Sequence, residues 1–324
     1  MLVLGLQGSP RKKGNTSYLL ELVLEQAARR GAETRRIDVS RRNISPCMGC
    51  TNCEKKGYCA ITDDEMNTEL YPLLRRADLI LLATPIYFYN ATSQLKKVID
   101  RSQTLWARKY KLSLADPGRP WRRGMMLAVG ATKGKNLFEG MALTAKYFFD
   151  AAGASFDSRL AYRQIEHAGD MKNHSEAIED VNSALETMSD FFNRKRLLFV
   201  CRENACRSQM AAAFARHMAG GTLDVDCAGS RPAAQSNPVM EEMMAEIGYD
   251  MAFRPPRALS EAIEASPPHT IVTMGCAEQC PNIPGAEVID WDLQDPAGES
   301  REFMRRIRDE IRARVEALIS RIAG

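Results

Sequence analysis

The stretch Val200-Cys201-Arg202-Glu203-Asn204-Ala205-Cys206-Arg207-Ser208-Gln209-Met210 encloses five residues between a cysteine and an arginine. Before it, Leu197-Leu198-Phe199-Val200 is an apolar run of buried-strand type. After it, from Ser208, come Gln209, Met210, Ala211, Ala212, Ala213, Phe214, Ala215 and Arg216, which read as a helix. A loop at such a strand-to-helix turn converges its backbone N–H groups, and the helix N-terminus adds partial positive charge, so the place suits a tetrahedral oxyanion. Arg207 can hold two anion oxygens with its planar fork. The same field favours the thiolate of Cys201, the nucleophilic form. A Cys-x5-Arg spacing arises often by chance. Followed by Ser208 and set between strand and helix, it reads as an active site rather than as a packed cysteine beside a surface charge.

From about residue 196 to the C-terminus the chain resembles the low-molecular-weight tyrosine phosphatase fold and, within it, the arsenate reductase branch. Besides the loop, the resemblance rests on Cys227-Ala228-Gly229-Ser230 after a second strand, Asn237-Pro238 opening a helix, Ile247-Gly248-Tyr249 closing it, and Asp292-Leu293-Gln294-Asp295-Pro296. Pro296 restrains its loop, so the Asp295 carboxyl can stand over the anion site as a general acid; an isolated Asp-Pro would read as a turn. Two chemistries share this loop. A phosphatase needs Cys201, Arg207 and Asp295 alone, whereas an arsenate reductase also needs thiols to carry off two electrons. Cys276 and Cys280, following a strand expected over residues 270–274, can supply them; a zinc half-site or a pair of buried thiols is the alternative for that pair. Tyrosine phosphatases of this fold usually follow the Asp-Pro with tyrosines, and here Ala297 and Gly298 follow. Gln209-Met210 is the reductase form. The three residues between Cys276 and Cys280 are fewer than in thioredoxin-coupled arsenate reductases.

A chain of 324 residues suits two domains better than one. Lys plus Arg (44) barely exceeds Asp plus Glu (41), which offers no footprint for nucleic acid or an anionic membrane. No apolar stretch has the length of a membrane span, and residues 1–5 read as a first strand, so a cytoplasmic protein is expected. The nine cysteines fall in clusters, four between Cys47 and Cys59 and the other five beyond residue 200. This distribution argues for ligands and redox thiols rather than a disulfide framework.

The first half opens with an apolar strand over residues 2–6, then Gln7-Gly8-Ser9-Pro10-Arg11-Lys12-Lys13-Gly14-Asn15-Thr16-Ser17, then a helix from Tyr18 to Ala27. Strand, polar glycine loop and helix can cradle a phosphate, with Ser9, Arg11, Asn15, Thr16 and Ser17 as donors; an ordinary crossover loop would look the same. Further strands are expected over residues 34–39, 78–84, 124–130 and, more weakly, 155–160. They alternate with helices as in a doubly wound sheet, whose ligands bind at the carboxyl ends of the strands. One such end carries Pro85-Ile86-Tyr87-Phe88-Tyr89-Asn90, with aromatic faces for a planar ring or for packing under a loop. Gly8-Ser9-Pro10-Arg11, Gly14-Asn15-Thr16 and Thr84-Pro85-Ile86-Tyr87 resemble the NADPH-dependent FMN reductases of the flavodoxin-like superfamily over roughly the first 190 residues. The resemblance implies FMN, its phosphate on the first loop and its ring beside Pro85, Ile86, Tyr87 and Phe88, with NAD(P)H as reductant and a homodimer as the assembly.

In the same half stands Pro46-Cys47-Met48-Gly49-Cys50-Thr51-Asn52-Cys53, then Glu54-Lys55-Lys56-Gly57-Tyr58-Cys59. Three cysteines at intervals of three can wrap one side of an inorganic cluster and Cys59 can close it; four thiolates also suit zinc. A thiol/disulfide site, or a motif that has lost its cluster, fits the spacing as well. The pattern, with Asp63-Asp64-Glu65-Met66 after it, resembles the compact motif of iron-sulfur flavoproteins, which implies a [4Fe-4S] cluster beside the flavin.

The expected architecture is therefore α/β, two doubly wound parallel-sheet domains: flavodoxin-like over residues 1–193 and low-molecular-weight phosphatase-like over residues 194–324. Asn193-Arg194-Lys195-Arg196 is expected to be a solvated helix end joining them. The expected activity is reduction of arsenate to arsenite by a thiol relay through Cys201, Cys276 and Cys280, assisted by Arg207, Ser208 and Asp295. Electrons would come from the flavin domain, or from thioredoxin or another thiol reductant. A tyrosine phosphatase fused to a flavin reductase, and a redox sensor with one inactive half, are the alternatives. Cys206 is expected to be packed or to protect Cys201, and Cys227 to be buried.

Overall fold

Two apolar strand sets organise the chain into two separate parallel sheets. The computed structural model describes residues 1–275 and 283–323, with Ala323 described by its backbone alone. The first sheet contains β1 (Leu2–Gln7), β2 (Glu33–Asp38), β3 (Leu79–Pro85), β4 (Arg123–Val129) and β5 (Ser155–Tyr162), in the order β2-β1-β3-β4-β5. The second contains β6 (Lys195–Cys201), β7 (Leu223–Gly229), β8 (Thr270–Met274) and β9 (Glu287–Asp290), in the order β7-β6-β8-β9. Every neighbouring pair is parallel. Parallel strands need crossovers, and helices supply most of them, burying the sheet faces. Each sheet reverses its order beside the first strand of its unit, the topological switch where α/β folds bind ligands.

In the first unit the helix Asn15–Arg29 turns Leu19, Leu20, Leu22, Val23, Leu24 and Ala27 into the core under β1, β3 and β4. In the second, the long helix Arg301–Ala323 buries Met304, Ile307, Ile311, Val315 and Leu318 against the helix Arg207–Ala219. Burying each of the leucine, isoleucine, valine and methionine side chains among these contributes about 1.5–3 kcal/mol before conformational entropy is set against it.

The compact units are not two continuous halves. The first comprises Met1–Ser113 and Trp121–Phe192, the second Leu114–Pro120 and Asn193–Gly324. Within the second unit the Ala115 N–H donates to Gly248 O at 2.8 Å, and Ala115 O accepts from Asp250 N at 2.9 Å. Both carboxylate oxygens of buried Asp116 lie 3.2 Å from an Arg254 guanidinium nitrogen.

Arg194 and Arg196 are buried, so residues 193–196 are not a solvated helix end. Arg196 lies within β6, donating to Asp226 at 3.0 Å and to the carbonyls of Ser266 and Ala262. Before residues 193–196 the chain forms two short helices, Ala177–Glu186 and Ser189–Phe192. No described helix is long and apolar enough to cross a membrane.

Candidate functional site

The loop at the end of β6 is built around the Cys201 sulfur. Cys201 is in register with Gly229 of β7 and Met274 of β8, which places it centrally at the carboxyl edge of the second sheet. Beyond it the backbone reverses through Asn204, which takes a left-handed φ of 51°. The helix Arg207–Ala219 then begins. The reversal brings the Asn204 N–H to 3.2 Å from the Cys201 Sγ, and the Ser208 Oγ lies 3.1 Å from the same sulfur. The Asn204 side chain leaves the serine proton able to point at the sulfur. Its amide nitrogen donates to Ser208 Oγ at 2.8 Å, and its carbonyl is held by the Arg257 N–H at 2.9 Å. With Ser208 Oγ already accepting, its hydrogen is free to donate to the sulfur. The Asn204 N–H and the Ser208 hydroxyl therefore both face the buried Cys201 sulfur.

Arg207 is held from the opposite side. One guanidinium nitrogen donates to Leu293 O at 2.9 Å and another to Asp295 Oδ2 at 2.7 Å, so the buried fork is aimed before any anion arrives. The Ala297 N–H, at 3.2 Å from the other Asp295 oxygen, orients the carboxylate, half of whose side chain stays exposed. Two residues the sequence reading did not assign a supporting role brace the loop. Gln209 donates to Asn204 O at 2.7 Å and to Arg254 O at 2.9 Å. Gly229 lies so near that a Cβ there would stand 2.9 Å from Arg202 O, Asn204 N and Glu203 C. Cys206, in the same loop, is packed: its thiol donates to Met304 Sδ at 3.4 Å, and burial pushes its pKa well up, with Cys201 and Asp295 adding to the effect. Burial likewise raises the Cys227 thiol. Cys276 and Cys280 lie outside the described residues. Gly275, the residue before Cys276, has a φ of +71°, and a Cβ on it would come within 3.2 Å of Arg207 Nη1.

In the first unit, Ser9, Arg11, Gly14, Asn15 and Thr16 line one side of a cavity of about 220 Å³, and Pro85, Ile86 and Tyr87 line another. Gly8 must be glycine here, since a Cβ would lie 2.8 Å from the Leu95 Cβ. The helix Asn15–Arg29 points its N-terminus at this cavity, and Thr92 Oγ1 ties Gly8 O to the next crossover at 2.6 Å. The Asn15 side chain is spent on the loop opposite, donating to His167 O at 2.8 Å and accepting from Met171 N at 3.2 Å. Ser17 is buried inside the helix, and Phe88, with a φ of 48°, stands fully exposed; neither lines the cavity. Ile165 and Glu166, which do, carry no sequence signal.

Cys47, Cys50, Cys53 and Cys59 all line a second cavity of the first unit, about 440 Å³ in volume. Left-handed backbone at Gly49, Thr51 and Gly57 bends the chain around it. Among the described residues no three His, Cys, Asp or Glu side chains are gathered as they would be on a single metal ion. Burial raises the Cys53 pKa, and the neighbouring Cys59 and Cys47 add to it. Beside these thiols lies buried Arg101, whose guanidinium pairs with Asp64 at 2.5 and 3.1 Å. Burial works against the Asp64 charge, but Arg101 and the backbone N–H groups of Ser45 and Asn67 outweigh it and hold the carboxyl below its usual range.

One parallel-sheet unit ending in a loop around a buried cysteine, and another ending in a strand-loop-helix cavity, define a two-unit α/β protein. Residues 1–153 match the family model described as NADPH-dependent FMN reductase, and residues 196–324 the one described as low molecular weight phosphotyrosine protein phosphatase. The chain belongs to the second family through its C-terminal domain, fused to a domain of the first. It is 33% identical over 132 residues to a glutaredoxin arsenate reductase of Synechocystis sp., covering 40% of this chain and 99% of that protein. It is 40% identical over 105 residues to an iron-sulfur flavoprotein of Methanocaldococcus jannaschii, covering 32% of this chain; of that relative's own length the chain spans only 53%. A solved thioredoxin-dependent arsenate reductase of Corynebacterium glutamicum is 30% identical, with 46% of this chain and 77% of that one covered and a TM-score of 0.36.

Proposed function

We propose that this protein is an oxidoreductase that reduces arsenate to arsenite at Cys201, with its own first unit as the electron donor. The observation that carries the reading is the pair of donors on the Cys201 sulfur beside an Arg207 fork fixed by Leu293 and Asp295. The thiolate attacks arsenic(V) held by the loop N–H groups and Arg207, and Asp295 protonates the departing oxygen, which leaves as water. The Cys276 thiolate then attacks the Cys201 sulfur, the sulfur–arsenic electron pair passes to arsenic, and arsenite leaves. Cys280 displaces Cys201 from the mixed disulfide, so two thiols are oxidised for each arsenic reduced.

The cradle fits FMN: loop donors and a helix N-terminus for the phosphate, and the Pro85, Ile86, Tyr87 segment for the ring. FMN there would accept hydride from NAD(P)H and supply two electrons, the number one disulfide requires. The cavity shared by Cys47, Cys50, Cys53 and Cys59 fits a [4Fe-4S] cluster, since sulfurs around a single zinc ion stand only about 3.8 Å apart and need far less room. Thioredoxin or glutaredoxin is the competing reductant.

The decisive experiment supplies the purified protein with NADPH, FMN and arsenate and measures arsenite. Production without added thioredoxin, lost in Cys276→Ser and Cys280→Ser, is expected. Turnover only after thioredoxin is added would remove the internal donor. Brisk cleavage of aryl phosphates, with arsenite yield indifferent to Cys276, would leave a phosphatase.

A further inference from the structure

Arg101 stands out in the first unit. It is 1% exposed, at the end of the helix Ser93–Arg101, far from the oxyanion loop in sequence and unused by the chemistry above. Four of its five N–H groups are taken: by Ser45 O at 2.9 Å, by Ile61 O at 3.2 Å, and by the two Asp64 oxygens at 2.5 and 3.1 Å. The fifth, on Nε, is buried without a hydrogen-bond partner. A buried donor left unpaired costs about 1–3 kcal/mol, more for a charged group, so a partner is expected. Arg101 lines the cavity of the four cysteines. The other charged or ionisable side chains of that lining are Cys47, Cys50, Cys53, Cys59, Glu54 and Asp100, which carry negative charge when ionised; Arg101 is its one basic residue.

We infer that Arg101 is the positioning residue of the cysteine cavity: its unpaired Nε–H donates to a thiolate or sulfide of the bound cluster, and its charge raises the cluster's reduction potential. The inference rests on the cluster reading given above. Hydrogen bonds to cluster sulfurs and nearby positive charge both favour the reduced, more negative form. Asp64 acts in the opposite sense through Arg101, since its carboxylate cancels part of the guanidinium charge while holding the side chain in place.

Two neighbouring substitutions must therefore shift one observable in opposite directions, which a merely structural role would not produce. Full-length protein is purified anaerobically, its iron and sulfide are measured, and the midpoint potential is read by EPR-monitored titration. Relative to wild type, Arg101→Met shifts the potential down, Arg101→Lys shifts it down by less, and Asp64→Asn shifts it up. Wild type holding iron and sulfide, with the Arg101 and Asp64 variants unmoved or moved in the same direction, overturns the role of Arg101 and leaves the cluster reading standing. Wild type holding neither iron nor sulfide overturns both. Should the Arg101 variants fail to fold, Asp64→Asn decides: an upward shift supports the inference, and an unchanged potential overturns it.

Discussion

Asn204 uses both ends of its amide and so leaves the Ser208 proton able to reach Cys201. A hydrogen bond to a charged group contributes about 1.5–3 kcal/mol, so Ser208→Ala should slow alkylation of Cys201 by iodoacetamide at neutral pH roughly tenfold or more. Arsenate turnover should fall in parallel. Cys206, five residues after Cys201 but sealed against Met304, behaves differently. Its raised pKa keeps it a thiol at neutral pH, so Cys201→Ser should leave the loop unlabelled until the protein unfolds, as peptide mapping would show. Gly229→Ala puts a methyl group against three backbone atoms that cannot swing aside. We expect phosphate or arsenate affinity, read as competitive inhibition or by calorimetry, to drop at least tenfold, at a cost of about 1–3 kcal/mol in stability.

At the scale of elements, the helix Pro238–Ala245 is started by Asn237, whose side-chain oxygen accepts from the Val239 N–H at 2.9 Å and the Met240 N–H at 3.3 Å. Asn237→Ala should cost about 1 kcal/mol, and Ile311→Ala in the terminal helix about 2–5 kcal/mol, both read from urea unfolding. These elements were legible because their signals are local. Asn-Pro marks a helix start, a period of 3.6 marks a buried face, and Thr270–Met274 is a short apolar run between a Pro-Pro turn and a glycine. The edge strand Glu287–Asp290 and the short helix Leu259–Ala265 carry weak patterns of their own and exist because β8 and β7 offer them partners. Arg196 misled for the same reason: a basic residue in a basic run reads as solvated, and its burial depends on Asp226, thirty positions away.

At the scale of the whole molecule, Leu114–Pro120 leaves one unit's sequence and is counted with the other. Asp116 there is buried and paired with Arg254, whose carbonyl Gln209 holds next to the oxyanion loop. Removing one partner of a buried pair costs about 3–5 kcal/mol because the other charge is stranded. Asp116→Ala should therefore speed amide exchange within residues 193–257 and leave residues 1–110 protected as before, as hydrogen-exchange mass spectrometry would register. Two sheets and their strand-loop-helix openings could be read from linear patterns, since apolar period, glycine loops and Cys-x5-Arg spacing act over a few positions. The bracing of Cys201 by Asn204, the sealing of Cys206, the unpaired donor on Arg101 and the seating of residues 114–120 could not. Each depends on groups tens of residues apart, and only the packed chain brings these within the few ångströms over which hydrogen bonds and desolvation act.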